Sequence, residues 1–190
     1  MTIDVGTGDG RAVLATAAAE PTTLVIGLDA VAASMAGSSR RASGPVRRGG
    51  APNAMFLLAA AEAPPAELVG LAAMVTVRFP WGSLLRGCVG SDVVVAAGLA
   101  RLVAPGGELA LLLAPAARDL LANLPTDPEA VIAAAAGTFE PLGLRIVDGR
   151  VARDDEIRGS HSTWARRLLA GGRHAPAHGG RAVVVVRLRS

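Results

Sequence analysis

Lysine and tyrosine are absent from this chain of 190 residues, and aromatic residues make up only 3% of it. All 19 basic residues are therefore arginines, which fits genomic base composition and is not by itself a functional signal. Without lysine the chain lacks a P-loop, whose Gly-Lys-Ser/Thr motif binds phosphates. Because aliphatic residues and alanine must fill the core, the only two tryptophans, Trp81 and Trp164, become informative wherever they are exposed.

Cysteine and long apolar runs are also scarce. The single Cys88 excludes an internal disulfide and fits a reducing compartment. No N-terminal apolar signal region is present, and no run reaches the ~18 apolar residues of a membrane-spanning helix. The three histidines lack nearby cysteines or acids at metal-ligand spacing, so we predict no metal site. We expect one cytoplasmic domain over residues 1–190, monomeric and without membrane contact.

The first eleven residues carry a glycine-rich turn. A short apolar run at residues 3–5 is followed by Gly6, Gly8 and Gly10, and then by an alanine-rich segment that predicts a helix. Such a turn brings backbone N–H groups and the positive end of a helix dipole close to a ligand. Glycine allows positive φ values and lets the ligand approach the main chain.

The spacing of these glycines narrows the choice of ligand. A dinucleotide fingerprint requires G-x-G-x-x-G, but the sixth position counted from Gly6 is Arg11. The remaining pattern, D-x-G-x-G-x-G, begins with Asp4, whose carboxylate suits an ammonium group better than a pyrophosphate. S-adenosylmethionine carries an ammonium group and no phosphate, and the pattern resembles motif I of Rossmann-like methyltransferases. On these residues alone an ordinary βα turn without a ligand remains open. Asp29, about 20 residues on, favours a nucleoside because a carboxylate there binds ribose hydroxyls.

Apolar runs alternate with helical patterns along the chain. We predict strands over 3–5, 23–28, 53–61, 73–79, 108–113, 144–147 and 182–188, and helices over 12–20, 31–42, 66–71, 83–89, 92–103, 128–138 and 162–169. We expect turns at Pro105-Gly106-Gly107 and at Asp148-Gly149. The alternation predicts an α/β, Rossmann-like fold: a mainly parallel seven-stranded sheet with helices on both faces and an antiparallel last strand. Asp4, Asp29, Glu62 and Trp81 then converge on one rim, at the carboxyl ends of the strands.

Several segments together resemble one enzyme family. They are DVGTGDG at 4–10, GAPN at 50–53, Ala61-Glu62, FPWGSLLRG at 79–87 and STWARRL at 162–168. They are similar to positions of the 16S rRNA adenine-1408 N1-methyltransferases, the aminoglycoside-resistance family that includes the kanamycin–apramycin resistance enzymes. The family has a segment ahead of the first strand, whereas Met1 here almost enters that strand, so we expect this extension to be absent. Residues 115–140 and 171–180 match poorly, which bears on target affinity more than on cofactor binding.

The resemblance implies roles for individual residues. S-adenosylmethionine would be bound by Asp4, Gly6, Thr7, Gly8, Gly10, Asp29, Ala30, Ala61, Glu62 and Ser83. Trp81 and Trp164 would stack on an extruded adenine, and Ser162 would orient the cofactor or hold a tryptophan loop. Each tryptophan alone could instead be a packing residue. The expected partner is 16S rRNA in the 30S subunit, contacted by Arg40, Arg41, Arg47, Arg48, Arg166, Arg167 and Arg173.

Three functions are compatible with the sequence. The first is methyl transfer to N1 of that adenine. The second is methyl transfer to another RNA site, such as guanine N7 of tRNA, or to a small molecule. The third is a cofactor-binding scaffold that has lost its chemistry. An arginine cluster is most often only a solvated face, but both clusters here flank elements assigned to the ligand rim, which favours phosphate contact.

Overall fold

The fold is described from a computed structural model, in which residues 1–115, 124–170 and 182–190 are placed. The strands are β1 Thr2–Val5, β2 Val25–Asp29, β3 Ala54–Leu58, β4 Ala72–Arg78, β5 Val103–Leu113, β6 Arg145–Val151 and β7 Val184–Arg189. The helices are α1 Arg11–Ala19, α2 Ala32–Ala42, α3 Gly82–Cys88, α4 Val93–Leu102, α5 Pro128–Phe139, α6 Asp154–Gly159 and α7 Thr163–Ala170. Short 3-10 turns occur at Val46–Arg48, Ala66–Leu68 and Glu140–Leu142.

These seven strands form one sheet in the order β3-β2-β1-β4-β5-β7-β6. The first five positions in that order pair in parallel, because each crossover runs through helical or irregular chain. β7 pairs antiparallel with both β5 and β6. The order changes direction next to β1, so the carboxyl ends of β1, β2 and β4 leave a crevice where the connections diverge to opposite sides.

Buried side chains cover both faces of the sheet. Neighbouring residues of one strand join different clusters: Val184 packs in the main core, whereas Val185 packs with Ile157 of α6 and Ala165 of α7. Since successive strand residues point to opposite faces, helices must pack on each side of the sheet. The predicted fold class is confirmed, including the antiparallel last strand.

Four predicted elements differ from the structure. Asp148-Gly149 does not turn the chain but lies inside β6, because β7 supplies hydrogen-bond partners across a register shift between Ile146 and Asp148. Pro105-Gly106-Gly107 likewise lies inside β5, where a register shift accommodates it. The expected helix over 66–71 is only the 3-10 turn Ala66–Leu68, and β3 is shorter than predicted. α6 was not predicted.

Within the part of the chain that the structure describes, no single helix is long and apolar enough to cross a membrane. Helices α3 and α4 reach the required length and composition only when taken together, and they meet at a bend of 75°. Both helices contribute buried side chains to the main core, including Leu85 and Leu99. Their apolar character is therefore accounted for by packing within the domain.

Candidate cofactor and target site

The glycine-rich turn lies at the carboxyl end of β1 and is tied to β2. The N–H groups of Gly6 and Thr7 both donate to the carbonyl oxygen of Leu28, at 2.8 and 3.1 Å. The N–H of Gly8 donates to Oδ2 of Asp29 at 2.8 Å, and the N–H of Val31 donates to Oδ1 of Asp29 at 2.9 Å. The Asp29 carboxylate is thus oriented by main-chain donors, and each oxygen keeps a further lone pair for a ligand.

Two cavities open at this turn. The first, which we call the Asp29 cavity, has a volume of about 290 Å³. It brings together most of the residues predicted to bind the cofactor: Gly6, Gly8, Asp29, Ala30, Ala61, Glu62 and Ser83. Trp81 and Phe79 close the same cavity on the side of β4. Two acids on a largely apolar wall, Asp29 and Glu62, suit a nucleoside whose ribose hydroxyls donate hydrogen bonds.

The second cavity, the Trp164 cavity, has a volume of about 380 Å³. Its lining includes the predicted residues Asp4, Gly6, Thr7, Gly8, Trp81, Ser162 and Trp164. Gly6, Gly8, Phe79 and Trp81 line both cavities, so the two spaces meet at the glycine-rich turn. A ligand held at this turn would extend from the Asp29 cavity into the Trp164 cavity.

The residues at the turn fit a bound S-adenosylmethionine. Gly8 has a φ of +57°, and a Cβ added there would meet no protein atom within 4 Å, so its main chain faces open space. The hydroxyl of Thr7 is buried and has no hydrogen-bond partner among the described residues. Buried polar groups normally have partners, so this hydroxyl is available to a ligand in the cavity. Asp29, Ala61 and Glu62 would hold the adenosine group, and Asp4 the methionine group.

Asp4 is the most deeply buried acid of the site. Its Oδ1 accepts a hydrogen bond from Thr76 Oγ1 at 2.7 Å and another from the guanidinium of Arg78, with which it forms an ion pair. The Asp4 and Arg78 side chains are 4% and 21% exposed. A buried carboxylate requires such partners, so Arg78 and Thr76 compensate the charge of Asp4 and orient its carboxylate.

The two tryptophans both line the Trp164 cavity. Trp81 directly precedes α3, and 84% of the residue is exposed. Trp164 lies in the first turn of α7, where its ring packs on Phe79 with centroids 4.5 Å apart and an interplanar angle of 33°. Phe79 has a φ of +51°, which is rare for a bulky residue and indicates local strain at a functional position.

The start of α7 is fastened to the glycine-rich turn. The N–H of Trp164 donates to Ser162 Oγ at 3.2 Å, so Ser162 caps the helix. Thr163 Oγ1 donates to Asp9 Oδ2 at 2.8 Å, across 154 residues of sequence. This bond links the helix that carries Trp164 directly to the cofactor turn.

Not every predicted residue reaches the cavities. Gly10 lines neither of them; a Cβ added there would lie 2.5 Å from the Phe56 ring and 2.8 Å from Ser38, so close packing explains this glycine. Four of the predicted arginines are exposed, at the end of α2 and in the turn Val46–Arg48: Arg40, Arg41, Arg47 and Arg48. Arg166 is exposed on α7 and its guanidinium donates to Thr163 Oγ1 at 3.2 Å. Arg167 belongs to α7, and Arg173 lies outside the described residues.

Sequence reasoning missed six residues that the structure brings to the Trp164 cavity: Asp9, Ala12, Arg78, Phe79, His161 and Thr163. Phe79 and Thr163 stand next to predicted residues in the FPWGS and STWARRL segments, so their position carried a signal. The contact of Asp9 with Thr163 joins distant parts of the chain and left no trace in local pattern. Among the described residues, no group of three or more His, Cys, Asp or Glu is placed to hold a metal ion.

Comparison with known proteins agrees with this geometry. A profile of the NpmA family, described as 16S rRNA (adenine(1408)-N(1))-methyltransferase, matches residues 1–182. The chain belongs to this family. The 16S rRNA (adenine(1408)-N(1))-methyltransferase of Streptoalloteichus tenebrarius is 33% identical over 174 residues, which cover 88% of this chain and 80% of that protein.

Two solved structures are similar over almost the whole chain. The 16S rRNA methyltransferase KamB has a TM-score of 0.84 at 30% identity, covering 99% of this chain and 86% of KamB. A tryptophan-to-alanine mutant of the 16S rRNA (adenine(1408)-N(1))-methyltransferase from Catenulisporales acidiphilia, crystallised with the cosubstrate SAM, has a TM-score of 0.83 at 31% identity. That match covers 100% of this chain and 84% of the other.

Membership of this NpmA family makes the chain an S-adenosylmethionine-dependent methyltransferase with an RNA substrate. The predicted family, enzyme class and cofactor are confirmed. The comparisons do not favour another RNA site, a small-molecule substrate or an inactive scaffold.

Proposed function

We propose that this enzyme methylates N1 of adenine-1408 in 16S rRNA while the RNA is assembled in the 30S subunit, and that Trp81 and Trp164 hold the extruded base. One observation carries the proposal: both tryptophans line the cavity that meets the cofactor turn. The relatives named for methylation of this adenine support the choice of nucleotide.

The proposed role of the tryptophans follows from the position of the target atom. N1 lies on the Watson–Crick edge, which is inaccessible in a paired or stacked base, so the nucleotide must leave its stack. Each base–aromatic stack contributes about 1–3 kcal/mol, comparable to the few kcal/mol that extrusion costs. Two indole faces can therefore offset a cost that one would offset only in part.

The proposed reaction depends little on ionisable side chains. Bound S-adenosylmethionine supplies an electrophilic methyl group on a sulfonium. Adenine N1 already carries a lone pair, so no side chain has to act as a general base. Methylation leaves a positive charge on the adenine ring, which indole faces stabilise by about 1–2 kcal/mol when water is excluded. The residues of the site act by positioning and by electrostatic stabilisation.

In the proposed complex, the cofactor and the base have separate sites. Asp4 and Thr7 lie at the cofactor turn, whereas Trp164 lies on α7 and lines the same cavity. The relative from Catenulisporales acidiphilia was crystallised with SAM after one of its tryptophans had been replaced by alanine. This supports a design in which the tryptophans serve the base and other residues hold the cofactor.

The exposed arginines would contact RNA phosphates. Among the described residues, no carboxylate forms an ion pair with Arg40, Arg41, Arg47 or Arg48, so their charges are free to neutralise phosphates. Arg166, with Arg167 on the same helix, would supply a second contact beside Trp164. RNA is recognised largely by shape, so we expect the folded 30S subunit to be the substrate and a free oligonucleotide to be a poor one.

Methylation at this site would place a positive charge where certain aminoglycosides bind, and relatives solved as antibiotic-resistance methyltransferases support that consequence. Action on ribosomal RNA supports a cytoplasmic location for the enzyme. We propose that it acts as a monomer.

Transfer of tritiated methyl groups tests the proposal. Purified 30S subunits should accept label, whereas 50S subunits, tRNA and a free decoding-site oligonucleotide should not. Primer extension on the modified 16S rRNA should stop next to adenine-1408, because an N1 methyl group blocks pairing. A stop elsewhere, or stronger labelling of tRNA, would refute the assignment of the nucleotide while leaving the cofactor site intact.

Charge reversal tests the RNA surface. Arg47→Glu together with Arg48→Glu should weaken 30S binding at least tenfold and leave cofactor affinity unchanged. Arg101→Glu, at an exposed arginine on α4, is the matched control and should change neither. Equal loss of both affinities in the double variant would show that these arginines are structural.

A further inference from the structure

Arg78 is the one cationic residue of β4, and sequence reasoning gave it no role. It stands at the end of the strand, and its side chain lines the Trp164 cavity beside the cofactor turn. Thr76 pairs with Asp4 across β1 and β4. Since residues two apart in a strand share a face, Thr76 and Arg78 both lie on the side of the sheet where Asp4 is found.

The hydrogen bonds within this group leave donors unused. Asp4 Oδ1 accepts from Thr76 Oγ1 at 2.7 Å and from Nη1 of Arg78. A guanidinium has five N–H donors arranged as a planar fork, and this ion pair engages only one of its nitrogens. The Arg78 side chain keeps 21% of its surface exposed, whereas Asp4 keeps 4%. The cation is therefore the more accessible member of the pair.

The charges of this pair mirror those of an amino acid. The methionine end of S-adenosylmethionine carries an ammonium group and a carboxylate on one carbon. A cavity with Asp4 alone would place the ligand's carboxylate next to a buried anion, and like charges at such distances repel. With Arg78 beside Asp4, the cavity presents one anion and one cation to a ligand group that presents the reverse.

We propose that Arg78 binds the carboxylate of the cofactor's methionine group, while Asp4 receives its ammonium group. The chain would then select for a ligand with an intact amino-acid end. Arginine suits this role because its fork matches a carboxylate and because it stays protonated at any working pH. This inference rests on use of S-adenosylmethionine and is independent of which RNA is methylated.

A simpler role for Arg78 would be to hold Asp4 in place. Thr76 provides the comparison, because Thr76→Val removes the other hydrogen bond to Asp4 Oδ1 without removing a cation. If both residues only orient Asp4, loss of either should weaken every ligand that carries the ammonium group, with or without the carboxylate. If Arg78 binds the carboxylate, loss of Arg78 should weaken the binding only of ligands that carry a carboxylate.

Isothermal titration calorimetry with two ligands separates these roles without RNA or catalysis. The ligands are S-adenosylmethionine and decarboxylated S-adenosylmethionine, which differ by the carboxylate alone. The wild-type chain should prefer the intact ligand by about tenfold to hundredfold, the range of a charge-assisted hydrogen bond. Arg78→Met should reduce this preference to about threefold or less. Thr76→Val should weaken both ligands by a similar factor and keep the preference.

Two results would overturn the inference. One is a parallel loss of both affinities in Arg78→Met, as in Thr76→Val, which would reduce Arg78 to a support for Asp4. The other needs no variant: equal affinity of the wild-type chain for the two ligands. Arg78→Lys, which keeps the positive charge but not the fork, should retain part of the preference and covers the case in which Arg78→Met fails to fold.

Discussion

Trp81 and Trp164 face one cavity but differ in how they are held. Trp81 is 84% exposed at the start of α3, whereas Trp164 is half-buried, packs on the Phe79 ring and belongs to a helix fastened to Asp9. Trp164 therefore offers a stacking surface that exists before the base arrives. Trp81 must lose side-chain freedom when the base arrives, which costs part of its stacking energy.

This difference in burial and packing leads us to expect different roles for Trp81 and Trp164. A rigid ring fixes where the base stops, and that position relative to the glycine-rich turn decides how well N1 is aligned for reaction. In the proposed complex, the exposed ring of Trp81 would close over the base and exclude water. A substitution at Trp81 and a substitution at Trp164 should therefore change different measured quantities.

The largest effect is expected from removal of the rings. Trp164→Ala should lower kcat/KM for 30S methylation by at least a hundredfold, because both stacking and charge stabilisation are lost. Trp81→Ala should lower it by at least tenfold, and both should bind S-adenosylmethionine within about twofold of wild type. Calorimetry and methyl-transfer rates provide the measurements.

The same variants should differ in stability. Trp164→Ala should lower the melting temperature, since Trp164 packs on Phe79, whereas Trp81→Ala should leave it unchanged. Replacement of either tryptophan by phenylalanine should restore part of the activity. Activity that survives both alanine substitutions would contradict the proposal that Trp81 and Trp164 hold the base.

A smaller effect is expected when the support beneath Trp164 is removed. Phe79→Ala should lower kcat/KM about tenfold, because an aromatic pair is worth about 0.5–1.5 kcal/mol beyond its buried area. When Phe79→Ala is made in a Trp81→Phe background, the fluorescence of Trp164 should show that its ring has become more exposed to solvent. Phe79→Leu fills space without a ring and serves as the control. Unchanged fluorescence in Phe79→Ala would show that Trp164 does not depend on this contact.

The bond between Asp9 and Thr163 should contribute less. Thr163→Val removes the hydrogen bond to Asp9, worth about 1 kcal/mol, together with the exposed contact of Arg166 with the same hydroxyl, so we expect about a fivefold drop in kcat with cofactor affinity nearly unchanged. Thr138→Val removes a hydroxyl that bonds within α5 and should leave the rate unchanged. Equal effects of the two valine substitutions would mean that the link to Asp9 does not position Trp164.

The smallest effect is expected on stability, from the pH-dependent ion pair of Arg150 with Glu156 of α6, the helix that precedes α7. Hydrogen bonds from Arg150, at 2.7 Å to each carboxylate oxygen, lower the pKa of Glu156 to about 2. An unfolded glutamate titrates near pH 4.3, so this pair stabilises the fold above that pH and its contribution disappears as the pH falls towards about 2. Glu156→Gln should cost up to about 1 kcal/mol of unfolding free energy at pH 7.

Denaturant titrations at several pH values measure this contribution. The stability difference between wild type and Glu156→Gln should shrink steadily between about pH 4.3 and about pH 2. Arg153→Gln, at a more exposed arginine of the same cluster, should have a weaker effect. A difference that does not depend on pH would assign the effect to packing of the side chain.

Local pattern predicted most of the fold and part of the site. Apolar runs with glycine breaks located β1, β2, β4 and β7, because buried strands are continuous and hydrophobic. The turn predicted at Asp148-Gly149 was wrong, because pairing with β7 outweighs the turn preference of this dipeptide. Asp4, Asp29 and the glycines of the turn were predicted from spacing, whereas other predicted site residues, such as Ala61 and Ser83, came from the family resemblance. The ion pair of Asp4 with Arg78 and the link from Asp9 to Thr163 depend on tertiary packing, which single-sequence pattern does not encode.

The central claim, that an adenine is held between two indole rings at the mouth of the cofactor crevice, is tested most directly by a cryo-electron microscopy structure. The complex would contain the full chain, the 30S subunit and the non-reactive cofactor analogue sinefungin. The account predicts adenine-1408 outside its helix, between Trp81 and Trp164, with N1 directed at the glycine-rich turn. An adenine-1408 that remains stacked in the RNA, or a base that touches neither ring, would contradict it.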